Sequence, residues 1–155
     1  MSVEKVKEFF AKRGEPERVI EFAESTATSE EAAQVLNCEV GRIAKTISVF
    51  VDKKPVLILM SGDTKLDNKK FRERFNCRPH MIPVDEVENL IGHAVGGVCP
   101  FAVNDGVPIY IDEALRRFDY VYPAAGSSNS VTKFQLDELP SYINFADWVD
   151  VSKLK

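Results

Sequence analysis

The nine residues Ile43-Ala44-Lys45-Thr46-Ile47-Ser48-Val49-Phe50-Val51 do most to limit what this chain can become. Strand side chains alternate between two faces. Ile43, Lys45, Ile47, Val49 and Val51 therefore share one face, and Ala44, Thr46, Ser48 and Phe50 the other. A second β-rich run, Pro55 to Ser61, follows the turn residues Asp52-Lys53-Lys54, so the strand Ile43 to Asp52 continues into a hairpin. Lys45 is the one charge on the most apolar face in the sequence. An unpartnered buried lysine costs several kcal/mol or titrates early, and such positions cluster at functional sites. The alternative is that Lys45 sits at the strand's start and snorkels its ammonium to water.

The remaining pattern mixes helices and strands. Val3, Val6, Phe9 and Phe10 recur at helical spacing, with Gly14 as the stop. Val19 to Phe22 reads as a short strand. Thr28-Ser29-Glu30-Glu31 is a capping box that opens a helix ended by a left-handed Asn37. Asp67 caps a basic helix running to about Phe75, and Met81-Ile82 is a short strand. Asp85-Glu86-Val87-Glu88 reads as a second capping box, for a helix through Ile91 that Gly92 terminates. Beyond it, strands are expected at Val107 to Ile111, Tyr120 to Tyr122, Val131 to Phe134 and Trp148 to Val151. Helical turns are expected at Glu113 to Phe118, capped by Asp112, and at Leu136 to Tyr142. This is an α/β (α+β) pattern: a single domain over residues 1–155 with a mixed, curved central sheet flanked by helices.

The chain has 155 residues, of which 45% are apolar, enough for a real core. No apolar run reaches membrane-spanning length, and the first residues lack the apolar stretch of a signal peptide. Cys38, Cys77 and Cys99 are odd in number and widely spaced, which reads as free thiols in a cytoplasmic protein, with neither disulfides nor zinc. The net charge of −4 argues against a strong general nucleic-acid binder, DNA included. Any RNA contact must be local. The segment Asp63 to Arg78, with Lys69, Lys70 and Arg72, is the basic candidate, against the reading of a solvated helix face.

A second constraint is the stretch Gly92-His93-Ala94-Val95-Gly96-Gly97-Val98-Cys99-Pro100-Phe101. Glycine permits positive φ and close backbone approach, and proline stiffens the exit. Val95, Val98 and Phe101 can anchor the loop while backbone groups face a ligand. It begins at a helix C-terminus, which argues against a phosphate cradle of the Walker kind. Gly96 and Gly97 leave backbone bare on the side that a ligand could approach. His93 is the better of two histidines for polar chemistry, though a loop histidine is more often a surface group. Cys99 could be a nucleophile only with a base and a depressed pKa. Ala125-Gly126-Ser127-Ser128-Asn129 is a second small-residue loop, able to bind a ligand or simply to turn.

Several of these pieces together resemble the YbaK/prolyl-tRNA-synthetase-associated family of aminoacyl-tRNA editing domains, from about Glu31 to Val151. They are Ala32-Ala33, Ala44-Lys45-Thr46 on a strand, Ser61-Gly62-Asp63 before a helix, Gly92 with Gly96-Gly97-Val98-Cys99-Pro100, Ile111-Asp112, and Ala125-Gly126-Ser127. The resemblance implies hydrolysis of the ester joining a wrong, small amino acid to tRNA, often tRNA for proline. His80 and His93 form no H-x-x-x-H pair or His/Asp cluster, so no metal is expected, and no cofactor. The expected partners are the tRNA 3′ end and prolyl-tRNA synthetase, with no membrane. In that family the strand lysine lies at the RNA 3′ end, the loop shapes the aminoacyl pocket, and the substrate's ribose hydroxyl with an ordered water does the work of a base. Carried over, the catalytic positions are Lys45, Gly96 and Gly97. The substrate-binding ones are Thr46, His93, Val98, Cys99, Pro100, Gly126 and Ser127. Ala102 stands where many members have glycine, a departure that bears on pocket dimensions. Two other readings remain: an inactive module that binds aminoacyl-tRNA or a synthetase, and a small-ester or thioester hydrolase using Cys99.

Overall fold

A computed structural model describes residues 2–155. Numbered in chain order, the helices are α1 (Ser2–Ala11), α2 (Ser29–Leu36), α3 (Asn68–Phe75) and α4 (Val84–Ile91). The strands are β1 (Ile20–Glu21), β2 (Ile43–Val51), β3 (Lys54–Ser61), β4 (Thr64–Leu66), β5 (His80–Met81), β6 (Ile109–Asp112), β7 (Tyr120–Pro123), β8 (Ser130–Val131), β9 (Phe134–Gln135), β10 (Phe145–Val149) and β11 (Ser152–Leu154). Short 3₁₀ turns join several of them.

The hairpin of β2 and β3 is the centre. The strands pair antiparallel from Ala44 with Ser61 to Val51 with Lys54, and Asp52 and Lys53 take positive φ in the turn. The sheet runs β10-β6-β3-β2-β7-β9, with β5 also on β2. It is mixed: β6 is parallel to β3 and β10, β7 is parallel to β2, and β9 is antiparallel to β7. The architecture is the expected mixed α/β sheet, curled and flanked by helices.

The alternation in β2 and β3 separates the cores. Leu57 and Leu59 face the larger one, with Phe10 of α1, Phe101 and Phe134. There the Phe101 ring lies 5.0 Å from Phe10 and 5.3 Å from Phe134. Val49, Val56, Ile58 and Met60 face a second core closed by Phe71 of α3. Ile43 joins a third small cluster under α2, with Ala32, Ala33 and Tyr122. Burial of such side chains stabilises by roughly 1.5–3 kcal/mol each, which is why the period-two pattern holds the register.

Local signals explain the ends. Thr28 and Glu31 form both bonds of the capping box at α2, and Asn37 closes it in the left-handed region. Asp67 accepts from the Lys69 and Lys70 amides at α3. The capping box expected at Asp85 does not form. Helix α4 starts earlier, at Val84 behind Pro83, with no side-chain cap, so Asp85 and Glu86 lie inside the first turn. Proline preorganises a helix start and lacks an N–H to be capped.

Three strand expectations also shift. The strand expected from Val107 starts at Ile109, because Pro108 cannot donate to a ladder. The strand expected from Val131 to Phe134 splits into β8 and β9, where Thr132 gives both its amide and hydroxyl to the Pro123 carbonyl. The closing strand is two: β10 ends at Val149, and β11 turns off to pair with β4. Asp112 fixes that turn. Its buried carboxylate accepts from the Val151 amide at 2.9 Å, the Ser152 hydroxyl at 2.6 Å and the Ala114 amide at 3.0 Å. Among the described residues, no helix is long and apolar enough to cross a membrane.

Candidate active site

Strand β2 is unevenly paired. Strand β3 covers one edge along almost its whole length. On the other edge β7 pairs only Ile43 and Ala44, and β5 only Val49 and Phe50. Among the described residues no strand pairs Lys45 to Ser48 on that edge, though the Ile82 amide reaches the Ser48 carbonyl at 3.2 Å. A cleft of about 380 Å³ opens at this gap. Its wall includes Lys45, Thr46 and Ile47 of β2, Thr28, Ser29 and Ala32 at the start of α2, Tyr122 of β7, and Val95, Gly96 and Val98 of the glycine loop. Among the described residues that line it, none is His, Cys, Asp, Glu or Arg, and Lys45 is the only charged side chain.

Lys45 is half-buried beside Ile43 and Ile47, with Met60 as its cross-strand neighbour. Its ammonium donates to the Thr64 carbonyl. Among the described residues no ion pair includes it. Burial holds the Lys45 pKa below the ordinary lysine value. Nearby Lys155 adds to this, and Glu30 and Asp63 oppose it. The acceptor is itself held in place: Thr64 is in β4, which pairs with β11, which Asp112 anchors. Thr46, on the alternate face, has a buried hydroxyl with no hydrogen-bond partner among the described residues.

The Ser61-Gly62-Asp63 segment is a structural tie outside this cleft. Arg117 binds Asp63 through two nitrogens, at 2.7 and 3.0 Å, and the Ser61 hydroxyl at 2.7 Å. That guanidinium holds the Asp63 carboxyl below the usual carboxylate range.

The glycine loop has two sides. Gly92 ends α4 at φ 104°, and the Gly97 amide closes a turn onto the Ala94 carbonyl at 3.0 Å. Val95 and Gly96 are exposed on the cleft side. Gly96 has φ 97°, and a Cβ there would meet nothing within 4 Å. Gly97 is buried and points the other way. A Cβ there would lie 2.6 Å from the Gly126 carbonyl oxygen and 2.9 Å from the Ser127 amide. The two small-residue loops therefore pack backbone to backbone, and Gly97 does not wall the cleft as expected from the sequence.

His93, Cys99 and Pro100 also turn away from the cleft. His93 is fully buried, its Nε2 2.7 Å from the Phe101 carbonyl and 3.5 Å from the Cys99 thiol, and burial lowers its pKa. Among the described residues its Nδ1 has no hydrogen-bond partner. Cys99 is fully buried and its thiol is pushed up to about 12, chiefly by desolvation. That removes the thiolate a thioester hydrolase would need. Pro100 lines a separate depression with Phe9 and Ala102. Ser127 gives its hydroxyl to Asn129 at 2.9 Å and meets Ser130 at 2.6 Å. Of the ten residues expected at the site, the cleft wall contains Lys45, Thr46, Gly96 and Val98. Gly97, His93, Cys99, Pro100, Gly126 and Ser127 are outside its lining. Ala102 takes φ 54°, a backbone state that favours glycine, and it too is absent from the cleft wall.

The basic helix is mixed in role. Lys70 is engaged by Asp150 at 3.1 Å and the Ser152 carbonyl at 2.8 Å, whereas Lys69 and Arg72 are exposed. The cleft lining also includes Ser29, Ala32, Val84 and Tyr122, to which the sequence reading gave no site role. The capping box located α2 along the chain, but only the tertiary fold sets it over β2.

Comparison with known proteins agrees with this architecture. The family profile described as an aminoacyl-tRNA editing domain matches residues 23–142. The chain belongs to that family. It is 38% identical over 154 residues to "Uncharacterized protein YwhH" of Bacillus subtilis, covering 99% of this chain and 98% of that one. It is 30% identical over 115 residues to the "Putative Cys-tRNA(Pro)/Cys-tRNA(Cys) deacylase EbsC" of Enterococcus faecalis, covering 72% of this chain and 70% of that protein. Among solved structures, that of "a putative trans-editing enzyme for prolyl tRNA synthetase" superposes with a TM-score of 0.87 at 31% identity, covering 98% of this chain and 97% of that one.

Proposed function

We propose that this chain is a cytoplasmic hydrolase that removes a wrong, small amino acid from tRNA, with tRNA for proline as the first candidate and prolyl-tRNA synthetase as a candidate partner. The observation that carries the reading is the composition of the cleft. One lysine and a glycine-containing loop line the same cleft at an open strand edge, and among the described residues that lining includes no acidic, histidine or cysteine side chain. A site without a side-chain base suits a substrate that brings its own. In an aminoacyl ester of tRNA, the neighbouring ribose hydroxyl can position a water and relay its proton, accepting it while passing its own proton to the leaving ribose oxygen. Water adds to the ester carbonyl, and the bond to the ribose oxygen breaks. The products are the free amino acid and the RNA 3′ hydroxyl.

Lys45 holds a ribose or phosphate oxygen as a point charge, strengthened by its apolar surroundings. Backbone groups of β2 and of the Gly96 turn fix the aminoacyl carbonyl and amino group. The wall of Ser29, Ala32, Ile47 and Val98 admits small side chains and excludes large ones, the logic of a second sieve. The test is a panel of alanyl-, cysteinyl-, seryl- and prolyl-tRNA incubated with the protein. Selective deacylation of one small misacylated species is the expected result. Tight binding to all four without hydrolysis would instead make the chain a binding module.

A further inference from the structure

Among the described residues five large apolar side chains are exposed, and three of them line this one cleft: Met81 at 58%, Val84 at 74% and Val95 at 56%. They come from three separate elements, β5, the first residue of α4 and the glycine loop. Nothing in the local structure asks for apolar side chains there. Val84 opens a helix where a polar residue would serve equally, and Met81 is on a two-residue strand.

We propose that Met81, Val84 and Val95 form a lip that receives the terminal base of the RNA 3′ end, so that the site reads a nucleoside and not the aminoacyl ester alone. The proposal rests on the deacylase reading above. Three side chains are far too few for a protein partner, which needs about 800 Å² on each side. A nucleobase is the right size, with a flat apolar face that packs without sequence preference. Methionine, flexible and polarisable, suits a ring face. The lip is continuous with the cleft, whose one charged lining residue among the described residues, Lys45, is a cation complementary to the ribose-phosphate of the same nucleotide. A base on the lip would leave its acylated ribose over Lys45 and the aminoacyl group deeper, between β2 and Gly96.

The experiment is a double-mutant cycle on binding. The probes are two acceptor-stem hairpins carrying an amide-linked, non-hydrolysable alanyl group, one with a terminal adenine and one abasic at that position. Wild type is expected to lose roughly tenfold or more in affinity when the base is removed, as for a stacked base. In Met81→Ser/Val84→Ser that penalty should shrink to under about threefold, while the abasic hairpin binds as it does to wild type. A full penalty retained in the variant, no penalty in wild type, or equal weakening on both hairpins would overturn the lip. Failure of the deacylase reading shows separately, as wild type that hydrolyses no ester-linked aminoacyl-tRNA, since the amide probes report binding alone.

Discussion

Gly96 and Gly97 are neighbours in the chain and opposites in the structure. Gly96 stands at φ 97° on the open side of the loop, with free space where a Cβ would go, and it borders the cleft. Gly97 is buried against the Gly126 backbone, 2.6 Å from where its own Cβ would be. The same division runs along the whole loop. Val95, Gly96 and Val98 line the cleft, and His93, Gly97, Cys99 and Phe101 hold the loop to the core. One side is available for chemistry and the other for position, so substitutions on the two sides should fail in different ways.

The largest effect is expected on the inner side. Phe101→Ala removes a ring packed on Phe10 and Phe134, and should cost about 3–5 kcal/mol in urea unfolding. Gly97→Ala should follow at about 2–3 kcal/mol, because backbone must move to admit the methyl group. Its activity loss should track the fraction unfolded and be restored at low temperature. Gly96→Ala should cost only about 1–2 kcal/mol, the strain of a left-handed alanine, yet lower deacylation even when fully folded. If Gly97→Ala proves stable and Gly96→Ala fully active, the two-sided account of the loop is wrong.

His93 offers a pH test of the inner side. Burial lowers its folded-state pKa below the unfolded value. It therefore costs nothing above the unfolded pKa near 6.5, and below it the unfolded state takes up the proton first, so stability falls with falling pH. His93→Gln should flatten that acid limb in urea titrations below about pH 6.5. An unchanged limb would mean that His93 is not held neutral. The smallest effect concerns Ala102. Relief of left-handed strain worth about 1–2 kcal/mol outweighs glycine's extra chain entropy of about 0.5–1 kcal/mol. Ala102→Gly should therefore raise stability by up to about 1 kcal/mol and leave amino-acid selectivity unchanged, since residue 102 does not line the cleft.

The β2–β3 hairpin was legible because alternation and turn residues act over a few positions, and the same holds for the caps at Thr28 and Asp67. The box at Asp85 was misread because Pro83 starts that helix by a different device. Lys45 stood out as a charge on an apolar face. The side of the loop that each residue faces could not be read. Gly96 and Gly97 are chemically identical, and only the approach of Gly126, some thirty residues on, distinguishes them. Nor could the gap in β2 pairing be seen, since it depends on where β5 and β7 dock.

The most direct measurement is single-turnover deacylation by Lys45→Met, alongside its thermal unfolding. Burial depresses the Lys45 pKa, so holding its charge carries a cost that methionine removes. The account predicts a melting temperature no lower than wild type, together with a loss of at least about a hundredfold in rate, the scale of one lost charge contact in a transition state. A folded Lys45→Met that deacylates at the wild-type rate would contradict it.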